Sequence, residues 1–186
     1  MRTTFLTTFL VLVTLTLNAQ STWKLDLGHS SINFAVSHLV ISETTGSFDQ
    51  FDIEAITGDN FSSPKFDVTI QTASINTKNS RRDNHLRADD FFGVEKHPNI
   101  TFKSSSFKKT GENTFLLKGN ITIKGVTKKV SFTGKLNGIL KNDRGEKAGL
   151  KLTTTINRTD FNVGKPGSAS IGEEVEVIIN LEMAKS

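Results

Sequence analysis

The chain of 186 residues contains no cysteine and no tyrosine, one tryptophan and three prolines. Without cysteine there is no disulfide, no thiolate metal ligand, no thiol nucleophile and no lipidated lipoprotein start, so the fold has to rest on its apolar core. Apolar runs are short as well. None reaches the ~20 residues of a membrane-spanning helix, so no membrane span is expected. Positive charge is thinly spread: the net charge is +4, and the longest basic runs are the pairs Arg81-Arg82, Lys108-Lys109 and Lys128-Lys129. That pattern excludes nucleic acid as a partner. The four histidines, His29, His38, His85 and His97, fall at no ligand spacing, so no metal is expected. The glycine-rich stretch GKPGSASIG, residues 164–172, lacks the Lys-Ser/Thr ending of a phosphate loop, and no serine elbow occurs. No cofactor is implied.

The N-terminus has the outline of a secretory signal peptide: Arg2, an apolar run from Phe5 to Leu17, and a small residue at Ala19. The expected division is a signal peptide over residues 1–19 and one domain over 20–186, periplasmic or secreted. After Trp23 the dominant signal is alternation. Phe66, Val68 and Ile70 share one phase, as do Val130, Phe132 and Leu136, and Val175, Val177, Ile179, Leu181 and Met183. Comparable runs occur at Ile32-Phe34-Val36, Phe51-Ile53-Ala55, Leu117–Ile123 and Leu150–Ile156, with Gly-, Asn- and Asp-rich turn signals between them. About eight antiparallel strands make a sandwich or a closed barrel. The length of the runs favours the barrel, which leaves no edge exposed.

One segment breaks the alternation. RRDNHLRADDFF, from Arg81 to Phe92, is dense in charge and reads as a short helix over about Arg81–Ala88, started by Ser80 with Asp83 as a capping-box partner and stopped by Gly93. Asp83, His85 and Asp89 could supply a general base with an orienting carboxylate. The same residues also read as a capped helix whose charges satisfy one another, and residues two apart on a helix do not face each other. The fourteen phenylalanines carry no polar tip and suit either a solid core or a dry cavity. His38, in phase with Ile32, Phe34 and Val36, is a rare polar group on that face.

Several motifs occur in order: His29-Ser30, Ile32-x-Phe34-x-Val36-x-His38, Gly46-x-Phe48, Arg82-Asp83-x-His85-Leu86, Asp90-Phe91-Phe92, His97-Pro98-x-Ile100-Thr101-Phe102, Gly125-Val126-Thr127-Lys128, Arg158-x-Asp160-Phe161 and Ile171-Gly172-x-x-Val175. Together they resemble the YceI-like family of exported bacterial polyisoprenoid-binding proteins, from about Trp23 to Met183. The resemblance implies an all-β, lipocalin-like antiparallel barrel with one short helix at its rim. It also implies an apolar tunnel that holds an isoprenoid or other lipid chain and does no chemistry on it. Resemblance and strand phase together nominate Ile32, Phe34, Val36, His38, Phe51, Phe66, Val68 and Ile70 as ligand-binding. To these are added Phe102, Val130, Phe132, Leu136 and Phe161 from later strands, and Leu86, Phe91 and Phe92, which turn inward from the rim. Lys128, Arg82, Arg87 and Arg158 are head-group candidates by charge. The partner expected is a hydrophobic small molecule. The rival readings are a lipid-modifying enzyme using His85 and Asp83, and a lipid-free interaction module with a solid barrel.

Overall fold

The structure, a computed structural model, describes residues 20–186; the expected signal peptide lies outside the described residues. The strands are β1 (Ser21–Leu25), β2 (Ser31–His38), β3 (Ser42–Phe48), β4 (Phe51–Gly58), β5 (Ser62–Gln71), β6 (Ile75–Asn76), β7 (Asn99–Lys109), β8 (Thr114–Ile123), β9 (Val126–Asn142), β10 (Gly145–Asn157) and β11 (Ile171–Lys185). One α-helix, α1 (Ser80–Arg87), stands between β6 and β7. The pairing order β1-β4-β5-β7-β8-β9-β10-β11 closes on itself through β1 and β11, so eight strands form a barrel. Sandwich and barrel are thereby decided in favour of the barrel.

The remaining short strands are continuations of these eight. β1 and β2 pair with β4 and β3 in nearly the same register, Trp23 opposite Ala55 and Ile32 opposite Phe48. A 3-10 turn at Leu27–His29 bends this stave at its middle. β3 runs on into β4, and β5 runs on into β6. Every stave therefore lies beside its neighbour in sequence, which makes the barrel an up-and-down meander. Alternation holds stave by stave. In β4, Phe51, Ile53, Ala55 and Thr57 are buried while Asp52, Glu54 and Ile56 are exposed. In β9, the inner set Val130, Phe132, Gly134 and Leu136 alternates with exposed Ser131, Thr133 and Lys135 until the register shift at Gly149/Leu150.

The two ends are closed differently. At one end the strands are joined by the short connections 59–61, 110–113 and 143–144. At the other, two long connections, residues 77–98 and 158–170, fold over the mouth. β6 pairs with β3 alone, so the wall between β6 and β7 is open, and the segment carrying α1 spans the gap.

Helix α1 begins one residue earlier than the sequence suggests. Its N-cap is Asn79, whose side chain accepts from the Arg82 amide at 3.1 Å; Ser80 is the first helical residue. Asn79 is as good a cap as Ser, and Thr77 takes the carboxylate of Asp83 that the expected capping box would have used.

Candidate functional site

The helix end of the barrel encloses a cavity of about 610 Å³. Its wall is contributed by Ile156 on β10, Val175 and Val177 on β11, Phe34 and Val36 on the adjoining β2, Phe48 on β3 and Ile75 on β6, with Leu86, Phe91 and Phe92 from the rim segment and Phe161 and Val163 from the 158–170 connection. Below it lies a second, wholly apolar cavity of about 110 Å³. Phe48, Ile100, Ile123, Ile156 and Val177 line both, so these side chains form a waist between them. Rings set the shape at the mouth: Phe48 meets Phe92 edge-to-face at 5.9 Å, and Phe34 packs at 5.8 Å on Phe48. Phe34 can lie flat against β3 because Gly46 stands opposite; a Cβ there would come within 2.4 Å of the ring.

The charged segment holds this lid in place. Asp83, buried, accepts from the Thr77 amide at 2.8 Å and the Thr77 hydroxyl at 2.6 Å, while Arg82 donates to that hydroxyl at 2.8 Å and to the Thr77 carbonyl at 3.0 Å. Arg87 donates to the carbonyls of Ala73 and Ile75, at 2.8 Å and 2.9 Å, and so ties the helix to the end of β5 and to β6. Lys124, in the β8–β9 turn, donates to the carbonyls of Asp89 and Asn162. Lys96 pairs with Asp89 at 2.6 Å, and this hydrogen bond holds the Asp89 carboxyl below the usual carboxylate range.

The other connection is stapled by Arg158. Its guanidinium, buried, donates to the carbonyls of Val163, Lys165, Ile171 and Gly172. Gly164, at φ +70°, lets Phe91 and Arg158 pack together: a Cβ there would lie 2.9 Å from the ring and 2.8 Å from the guanidinium.

The residues nominated from sequence separate into groups. Phe34, Val36, His38, Leu86, Phe91, Phe92 and Phe161 line the upper cavity. Ile32, Phe66, Val68, Ile70, Phe102 and Phe132 line the lower one. Phe51, Val130 and Leu136 line neither and pack in or against the core. Of the head-group candidates, Arg82 and Arg158 line the upper cavity but are engaged by Thr77 and by backbone carbonyls, Arg87 is taken up by carbonyls, and Lys128 by Asp160 at 2.9 Å.

Other lining residues escaped sequence reasoning. Ile75, Val163 and Ile171 sit in or beside connections, where no strand phase exists to mark them. Arg81 also faces the cavity and has no hydrogen-bond or ion-pair partner among the described residues; its position on the first turn beside Arg82 was the available signal. Among the described residues, no aspartate or glutamate lines the upper cavity, so its polar wall there is cationic or neutral.

His85 lines the cavity but pairs with Asp90 at 2.8 Å, not with Asp83. The base-and-orienter pair of the enzyme reading is therefore not formed by Asp83 and His85. Among the described residues, Asp26, His29 and Glu182 could converge on a cation outside the barrel. The Lys147 ammonium already stands there, 3.0 Å from Asp26 and 2.6 Å from Glu182; these hydrogen bonds hold the Asp26 carboxyl low and the Lys147 ammonium high.

Residues 23–183 match the family described as YceI-like domain. The chain belongs to the YceI-like family. UPF0312 protein SA2479 of Staphylococcus aureus (strain N315) is 39% identical over 170 residues, 87% of this chain and 96% of that protein. The Campylobacter jejuni YCEI protein is 32% identical, with a TM-score of 0.72 over 81% of this chain and 90% of its own. Burkholderia cenocepacia BcnA, 22% identical, shares the fold with a TM-score of 0.77 over 85% of this chain and 98% of its own. A polyisoprenoid binding domain from Saccharophagus degradans, 15% identical, superposes with a TM-score of 0.66 over 88% and 98% of the two chains.

Proposed function

We propose that the protein binds a long-chain isoprenoid or other lipid in the upper cavity and carries or sequesters it outside the cytoplasm, exported by residues 1–19. The observation that carries this reading is the apolar cavity of about 610 Å³ under a lid that is fixed by its own hydrogen bonds. Each methylene transferred from water into such a wall is favourable by roughly 0.8 kcal/mol, so a hydrocarbon chain is retained by burial alone and needs no specific polar contact along its length. The ring-lined mouth and the apolar waist suit a flexible chain better than a rigid polar molecule. The solved neighbour described as a polyisoprenoid binding domain supports the same ligand class for this family member. Arg81, free of protein partners among the described residues, is placed to meet a polar or anionic head at the mouth.

Binding without turnover is part of this proposal. Asp83 is engaged by Thr77 and does not orient His85, which leaves the enzyme reading without its named pair. The test is organic extraction of the natively purified protein followed by mass spectrometry. A stoichiometric isoprenoid or acyl chain is expected, and it should be recovered unchanged after incubation with delipidated protein. Absence of any chain overturns carriage, and conversion of the added chain overturns binding without chemistry.

A further inference from the structure

The turn between β2 and β3 carries Leu39, Val40 and Ile41, three consecutive large apolar residues that are 50%, 91% and 86% exposed. The backbone there is unusual as well: φ is +53° at Leu39 and +64° at Val40. Two successive positive φ values in a tight hairpin turn are the conformation for which Asn-Gly is the ordinary choice, and a β-branched residue is among the least suited to it. The tip therefore disfavours both solvation and backbone conformation at the same residues, the kind of local conflict that points to a function.

Its place in the fold says which. The tip is attached to the mouth of the upper cavity: the Leu39 amide donates to the Ser170 carbonyl at 3.1 Å, and His38, Ser170 and Ile171 all line the cavity. We infer that this tip is a membrane-docking wedge. It enters the apolar layer of a bilayer and sets the cavity mouth against it, so that a lipid chain passes between bilayer and barrel without crossing water. This rests on the reading of the cavity as a lipid site.

Area and charge identify the occupant. Three side chains on a convex turn cannot supply the ~800 Å² per partner of a standard protein interface, whereas shallow insertion into the acyl boundary needs no more than a small apolar tip. Shallow insertion keeps the turn backbone at the headgroup level, where the Val40 amide, without a partner among the described residues, meets water, while the Leu39 and Ile41 amides donate to Ser170 and His38. The nearby outer wall is acidic: Glu43, Glu173, Glu174 and Glu176 line one groove on β3 and β11. Insertion is therefore apolar and not electrostatic, directed at a zwitterionic surface and weakened by anionic lipid.

The test is flotation of the delipidated protein with phosphatidylcholine vesicles, with and without phosphatidylserine. The unmodified protein should float, and added phosphatidylserine should not increase the bound fraction. Val40→Asp/Ile41→Asp should lower that fraction at least about fivefold, since charged side chains must leave the acyl layer. Leu39→Asn/Val40→Gly, which suits the turn, should melt at a higher temperature and also lose binding, so misfolding cannot account for the loss. Both variants should still bind a free fatty acid added in solution as the unmodified protein does, because none of the substituted residues lines the cavity. Unmodified protein that retains its chain yet does not float overturns docking while leaving the cavity reading intact. Flotation that survives both variants, or that requires phosphatidylserine, overturns the wedge, as does a dimer that depends on Val40 in protein that does not float.

Discussion

The two ends of this barrel are built from the same alternation and nearly the same residue types, yet one is filled and the other hollow. At the filled end Trp23, Ala55, Ala148, Leu150 and Met183 are 0–1% exposed. Trp23 meets Phe61 edge-to-face at 5.0 Å, and Phe107 lies against Phe115 at 4.9 Å. Phe115 in turn covers Gly134, where a Cβ would stand 2.1 Å from the ring. Large rings facing residues with small side chains interdigitate to native density. At the hollow end the inward positions include Val36, Val175 and Val177, medium-sized side chains side by side on the paired strands β2 and β11, and the wall is left open further round, beside the short β6. The stave rings there, Phe34 and Phe48, pack on each other at the wall, and the other rings, Phe91, Phe92 and Phe161, come from the connections that cover the mouth. Whether a barrel of alternating strands is a core or a container is decided by which residue sizes oppose one another, and alternation says nothing of that.

If that contrast is right, the largest effects of mutation on stability belong to the filled end. Trp23→Ala should cost ~3–5 kcal/mol, as a buried aromatic truncation does, measured by denaturant unfolding. A cost near zero would mean that this end is as loose as the other. The lid comes next. Asp83→Ala leaves the Thr77 amide and hydroxyl without their acceptor in a buried site and should cost ~1–3 kcal/mol, with faster loss of bound chain on dilution.

Added bulk should separate the ends without relying on stability losses. Val175→Phe fills space in the upper cavity and should leave the melting temperature of delipidated protein nearly unchanged while reducing co-purified lipid. Gly134→Val at the filled end collides with Phe115 and should destabilise by ~1–3 kcal/mol or more. The smallest effect belongs to the outer-surface knot. Asp26 is held below its ordinary value of 3.8 by Lys147, so its contribution is present above that value and lost as pH falls through the depressed one. Lys147 is held above 10.5, so its contribution is present below that value and lost as pH rises through the raised one. Lys147→Met should flatten the acid limb of the stability–pH curve below pH 3.8 and leave lipid retention unchanged.

The barrel was legible because its strands are long and strictly two-periodic: Phe66-Val68-Ile70 and the run from Val175 to Met183 read the same in sequence and in structure. The charged segment was legible as a helix and a rim element, though its cap lay at Asn79 and its acid served Thr77, a partner outside the capping-box pattern. Long-range pairings were not legible. Nothing local says that Arg158 will gather carbonyls from both ends of its connection, or that Val130 and Leu136 will pack against the core while Val36 opens onto a cavity. Phase gives the face of a strand, and the height of a residue along the barrel depends on register and shear that no single strand encodes.

The central claim is that an apolar chain occupies the upper half and stops above the packed half. Methyl NMR of the delipidated protein with a nitroxide-labelled fatty acid, spin label near the chain end, tests it most directly. The account predicts paramagnetic broadening of the methyls of Val36, Val175 and Val177, with those of Leu150, Ala148 and Met183 spared. Broadening of the Leu150, Ala148 and Met183 methyls with Val36 unaffected, or no broadening at any interior methyl, would contradict it.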